Sequence, residues 1–115
     1  MHDALDQSLM SFAKNMDVSV KQKLKVDEIF LVRFDRDSTI KYGDDSLDRN
    51  VYAFNESGEK IWQIEAAPVR QSPKLYVNLR VEKSGVVAES WTGIEVIINL
   101  KDGSVSTYNI GQRPW

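Results

Sequence analysis

The chain has 115 residues, 42% of them hydrophobic and 28% charged, with a formal net charge of −2 and no cysteine. That length predicts one domain, able to bury most of its unfolded surface without a disulfide or metal. The missing cysteines exclude disulfides, thiolate zinc sites and cysteine nucleophiles, and they fit a reducing compartment.

An acidic pI of about 5.4 argues against a nucleic-acid binder, whose domain normally carries clustered Lys and Arg. Lys21, Lys23 and Lys25 form the one local basic run, and their spacing reads as a solvated strand face. The N-terminal stretch MHDALDQSLMSF has an early acid and no apolar core, so no signal peptide is expected. The longest apolar run, residues 29–32, falls far short of the ~18 residues of a membrane span. A cytoplasmic protein is the expectation.

In chain order, the first element is a helix over residues 3–16. Leu5, Leu9, Phe12 and Met16 recur at steps of four, three and four, which is one face of a helix. Asp3 and Asp6 suit its first turn and Lys14 its last, as the helix dipole prefers. A helix this short is marginal alone, so its stripe must dock on a sheet face.

The period then changes to two. Val18, Val20, Leu24 and Val26 alternate with Ser19, Lys21, Lys23 and Lys25, a half-buried strand pattern. Residues 29–34 are apolar on both faces and predict a central strand. Residues 35–49 carry five aspartates and a glycine and read as a long loop, a length that points to function or mobility.

Residues 51–54, 60–65, 75–82, 86–91, 94–100 and 104–110 are strand-like, rich in β-branched and aromatic side chains. The connections Glu56-Ser57-Gly58, Lys83-Ser84-Gly85 and Lys101-Asp102-Gly103 each end on glycine, where a hairpin turn needs positive φ. Thr92-Gly93 is a fourth turn. Pro68 and Pro73 mark residues 66–74 as a loop outside the ladder.

The predicted fold is therefore mainly β: an antiparallel meander of seven or eight strands, as a curved sheet or incomplete barrel, with one short helix packed on it. Leu75, Val77, Leu79 and Val81 are assigned to the core face. Ile94, Val96, Ile98 and Leu100 join them if Thr92-Gly93 is a two-residue turn. Tyr76, Asn78, Arg80 and Glu82 take the opposite face.

Candidate chemistry is sparse. His2 is the single histidine and sits beside the first residue, which leaves no base for a serine or thiol triad. Asp35, Asp37, Asp44, Asp45 and Asp48 cluster in the long loop, but their spacing is not that of an EF-hand. Glu89 and Glu95 flank the Thr92-Gly93 turn and approach across a hairpin. Paired carboxylates are what a glycosidase needs, although surface charge explains these two as well. The six glycines are single and form no phosphate-cradling loop.

The aromatic residues say more. A three-residue first hairpin would set Tyr52 opposite Trp62, a stabilising cross-strand pair. Tyr76, Asn78 and Arg80 alternate away from the apolar face, and Tyr and Arg are enriched at interface hot spots. Trp91 or Tyr108 joins them according to register. The ending Arg113-Pro114-Trp115 offers one more aromatic side chain.

Residues 50–64 (NVYAFNESGEKIWQI) resemble the strand–turn–strand unit of quinoprotein-type β-propellers. The unit does not recur, and a propeller needs at least about four blades, so that fold is excluded. The same stretch, with the later Ser90-Trp91-Thr92-Gly93 and Lys101-Asp102-Gly103, resembles small cysteine-free bacterial immunity proteins of polymorphic and contact-dependent toxin systems.

This resemblance implies a non-enzymatic module that neutralises a cognate toxin by one-to-one association, without cofactor or metal, as a monomer or weak dimer. The expected partner is a basic protein, with no role for nucleic acid or membrane. The expected binding residues are Asp44, Asp45, Asp48, Tyr76, Asn78, Arg80 and Trp91. The alternative is a small-ligand-binding β-domain whose pocket is lined by Tyr52, Trp62 and Trp91.

Overall fold

A computed structural model describes residues 4–16, 18–36, 49–68 and 75–109, apart from the side chains of Met16, Arg36 and Asn109. Among them are one helix, α1 (Ala4–Met16), and eight strands: β1 (Val18–Val26), β2 (Ile29–Arg36), β3 (Val51–Asn55), β4 (Lys60–Gln63), β5 (Tyr76–Glu82), β6 (Gly85–Ser90), β7 (Glu95–Ile98) and β8 (Val105–Asn109). The mainly β, antiparallel class holds. Instead of one curved sheet, however, the strands form two four-stranded sheets, β1-β2-β3-β4 (sheet A) and β5-β6-β7-β8 (sheet B). Each is a simple meander, and neither closes into a barrel.

Two apolar layers result. Leu31, Val51, Ala53, Trp62 and Ile64 of sheet A pack against Tyr76, Leu79, Val86, Ala88, Val96 and Ile98 of sheet B. On the other face of sheet A, Val32, Phe34, Tyr52 and Phe54 meet Leu5, Leu9 and Phe12 of α1. The Phe12 ring lies 4.7 Å from Tyr52, 5.0 Å from Phe34 and 5.8 Å from Phe54, centroid to centroid. The helical stripe read from Leu5, Leu9 and Phe12 is therefore the docking face of α1.

The glycine turns form as their chemistry requires. Gly58, Gly85, Gly93 and Gly103 all have positive φ, a conformation that costs only glycine little. Gly58 serves a second purpose. A Cβ there would stand 2.6 Å from the Ala4 carbonyl and 2.7 Å from Ser8 Cβ. Its missing side chain lets α1 rest on the β3–β4 turn, where Ser8 Oγ donates to the Gly58 carbonyl at 2.5 Å.

Three face assignments are corrected, and one device explains all of them. An extra residue in one strand of a pair, a β-bulge, passes the following side chains to the other face. In β1 the register shifts between Val20 and Gln22. Val20 therefore lies opposite Phe34, on the helix side, while Leu24 lies opposite Leu31, toward sheet B. In the β3–β4 pair the shift sets Ala53 opposite Trp62 and Tyr52 opposite Gln63. Tyr52 and Trp62 thus occupy different layers and do not pair. In β5 the shift between Tyr76 and Asn78 turns Tyr76 into the core. Val81 keeps the side of Leu79, opposite Val86, but is exposed because it stands at the end of the strand beside the β5–β6 turn. For the last hairpin the expectation stands, with Val96 and Ile98 buried and Ile94 and Leu100 packed on the same core.

Side-chain amides join the two sheets along the free edge of β5. Asn50 Nδ2 donates to the Tyr76 carbonyl at 2.9 Å, and Asn50 Oδ1 accepts the Tyr76 N–H at 2.8 Å. Gln22 repeats the pattern, donating to the Leu79 carbonyl at 3.1 Å and accepting its N–H at 2.9 Å. Each amide stands in for a neighbouring strand and covers an edge that would otherwise invite pairing with another chain.

Candidate functional site

Of the residues expected to bind a partner, the structure keeps Arg80 and Trp91 on the surface, leaves Asn78 half-buried and withdraws Tyr76. Tyr76 has 0% exposure, and its phenol donates to the Glu65 carbonyl at 2.8 Å. Burial, reinforced by Glu65, pushes that phenol well above the ordinary tyrosine range, against a smaller opposing effect of Arg49. Tyr76 is a core residue, because the β5 bulge turns it inward. Asn78 shares the face of Arg80, opposite Glu89 in the ladder, and at the edge of β5 Gln22 Nε2 donates to its side-chain oxygen at 3.2 Å. Asp44, Asp45 and Asp48 lie outside the described residues.

The remaining site is the outer face of sheet B, the face turned away from sheet A. The ladders set Arg80 opposite Val87 and Glu89 opposite Glu95. Arg80 binds the carboxylates around it: Nε donates to Glu82 at 2.7 Å, and the two terminal nitrogens lie 2.5 Å from Glu95 and 4.0 Å from Glu89. Its hydrogen bonds to Glu82 and Glu95 raise the guanidinium's affinity for its proton. Three carboxylates against one guanidinium leave these four groups with a net charge of −2. Val87, between Arg80 and Ile97 in the ladders, is fully buried.

At the end of this face the β6–β7 turn carries Trp91. The turn is fixed by Ser90 N–H to the Ile94 carbonyl and Gly93 N–H to the Ser90 carbonyl, both at 2.9 Å. The Trp91 N–H donates to the Leu75 carbonyl, also at 2.9 Å. The backbone is therefore held on both sides while the indole stays 63% exposed. Tyr108, the extra residue of a bulge in β8, is 40% exposed.

Glu89 and Glu95 do approach across the hairpin, as their spacing predicts. Arg80 lies between them, so the cluster is an ion-pair network and lacks the isolated carboxyl that a general acid requires. The three aromatic residues suggested for a ligand pocket do not meet. Tyr52 packs under α1, Trp62 lies between the sheets with Nε1 donating to the Leu100 carbonyl at 2.9 Å, and Trp91 faces outward. No group of three or more His, Asp or Glu side chains among the described residues is placed to hold a metal ion. No helix among them is long and apolar enough to cross a membrane.

Sequence reasoning missed Gln22 and Asn50. An amide that bridges to a strand edge leaves no periodic signal, because its role depends on which strand the tertiary fold brings beside it.

The architecture is that of a two-sheet antiparallel β-domain with a helix on one side and a charged strand face on the other. The chain belongs to the family described as Domain of unknown function (DUF7957), whose profile matches residues 11–110. Searches of curated proteins and of solved structures found no match.

Proposed function

We propose that the chain is a protein-binding module of the immunity type, which neutralises a toxin by one-to-one association through the outer face of sheet B. The observation that carries this reading is Trp91, an indole 63% exposed on a backbone held by three hydrogen bonds within its turn and to the lead-in of β5. A large apolar side chain on a fixed support loses little freedom on binding, which is what a hot-spot anchor requires.

Beside it, the net −2 of Arg80, Glu82, Glu89 and Glu95 complements a basic partner and speeds encounter with it. Capture from the native cytosol with the immobilised chain, followed by calorimetry with the partner recovered, tests the reading. Trp91→Ala should weaken binding by at least about 2 kcal/mol, the scale of a hot spot, with folding unchanged. Raising salt should slow association. Retention of full affinity by Trp91→Ala would remove this face from the interface.

A further inference from the structure

A second site lies on the opposite flank, where the end of β4 meets the β7–β8 turn. A cleft of about 510 Å3 opens there, lined by Arg49, Gln63, Glu65, Asp102, Gly103 and Ser104. Its size is within the range of small-molecule sites, roughly 300–1,000 Å3. Its charges are held in place by bonds that leave their outer atoms available. Arg49 Nε donates to the Ile64 carbonyl at 2.8 Å, which anchors the guanidinium by its stem, and Arg49 makes no ion pair among the described residues.

Glu65 is fixed twice. Its N–H donates to the Gly103 carbonyl at 2.9 Å, and its Oε1 accepts the Val105 N–H at 3.0 Å. Asp102 Oδ1 accepts both the N–H and the hydroxyl of Ser104, at 2.9 and 2.7 Å. These bonds hold the Asp102 carboxyl below the usual carboxylate range. Glu65 Oε2 and Asp102 Oδ2 have no hydrogen-bond partner among the described residues.

A simple anion would meet two carboxylates, and a simple cation would leave the guanidinium fork unused. One guanidinium and two carboxylates give the cleft a net charge of −1, which is complemented by one carboxylate and two ammonium groups on a single small molecule. We propose that this cleft binds a dibasic α-amino acid. The ligand's carboxylate lies on the two terminal nitrogens of Arg49, a planar fork suited to it. Its two ammonium groups lie on Glu65 and Asp102.

Isothermal titration calorimetry of the full chain with L-lysine, L-norleucine, 1,5-diaminopentane and L-glutamate tests the assignment. L-Lysine should give saturable binding. Norleucine, lacking the side-chain ammonium, and 1,5-diaminopentane, lacking the carboxylate, should each bind about tenfold more weakly, the scale of one charged hydrogen bond. L-Glutamate should not bind. Arg49→Gln should weaken lysine about tenfold while leaving 1,5-diaminopentane unchanged. Asp102→Asn keeps the Oδ1 acceptor for Ser104 and folds independently of the Arg49 anchor, so it gives a second reading: lysine should fall to the norleucine level.

Trp91→Ala should bind lysine as the parent chain does, which separates this site from the partner-binding face. Absence of saturable lysine binding, equal binding of lysine and norleucine, or unchanged lysine affinity in folded Asp102→Asn would overturn the proposal.

Discussion

The two sheets share a topology but are built for different positions. Sheet A is the middle layer, and in β3 the residues Val51, Tyr52, Ala53 and Phe54 are all buried, alternately facing sheet B and the helix. Sheet B is an outer layer. In β7 the inward Val96 and Ile98 are buried, while the outward Glu95 and Ile97 are half-buried and Glu95 joins a charged network. A strand covered on both faces becomes continuously apolar, and one covered on a single face alternates. The outer sheet therefore turns a whole face to solvent, whereas in the middle sheet β3 is covered on both sides and only the flanking β1 and β4 reach solvent.

The sharpest test of this contrast is Phe54→Ala. Phe54 is fully buried between sheet A and α1, so its truncation should cost about 3–5 kcal/mol, measured by urea unfolding. A loss below about 1 kcal/mol would mean that α1 does not cover this face.

Next in size is the joint between the sheets. Asn50→Ala leaves the Tyr76 N–H and carbonyl without their partner in a buried place. Stranded groups of this kind cost roughly 1–3 kcal/mol each, and a loss of about 3 kcal/mol is expected in the same assay. A neutral effect would show that the β5 edge is satisfied in some other way.

A smaller effect depends on pH. Tyr76 and Tyr52 both have phenols pushed above their ordinary value, in each case mainly by burial. Folding therefore favours the neutral phenol. This stability is complete below the unfolded value of about 10 and is lost as pH rises above it toward the raised folded values. Tyr76→Phe should cost about 1 kcal/mol at neutral pH through the lost bond to Glu65. It should also flatten the decline in stability above about pH 10, as followed by thermal melting. An unchanged alkaline slope would place the phenol in contact with water.

The smallest effect belongs to the outer face. Arg80 is a third exposed and its partners Glu82, Glu89 and Glu95 are also reached by solvent. Arg80→Met should therefore cost less than about 1 kcal/mol, and less still in high salt. A loss near that of Phe54→Ala would make the network part of the core and remove sheet B's face as a free surface.

Much of the architecture was written locally. The four glycine turns, the helical stripe and the strand-like segments depend on neighbours close in the chain, so composition and period exposed them. The candidate site was legible only in part. Arg80, Asn78 and Trp91 emerged from alternation and residue type, whereas Tyr76 was assigned to a face it does not occupy.

What the sequence determined by itself is therefore the mainly β class, the sites of its turns and the docking stripe of α1. Only the tertiary structure decided that the strands divide into two sheets and which face each segment shows. The physical reason is the bulges in β1, β4, β5 and β8. Each adds one residue to a ladder of period two, and one residue is enough to exchange inside for outside. Nothing in the local pattern of Val20-Lys21-Gln22 or Tyr76-Val77-Asn78 announces the slip, because its advantage arises across the fold. It turns Tyr76 into the space between the sheets and leaves the edge of β5 to be covered by Asn50 and Gln22.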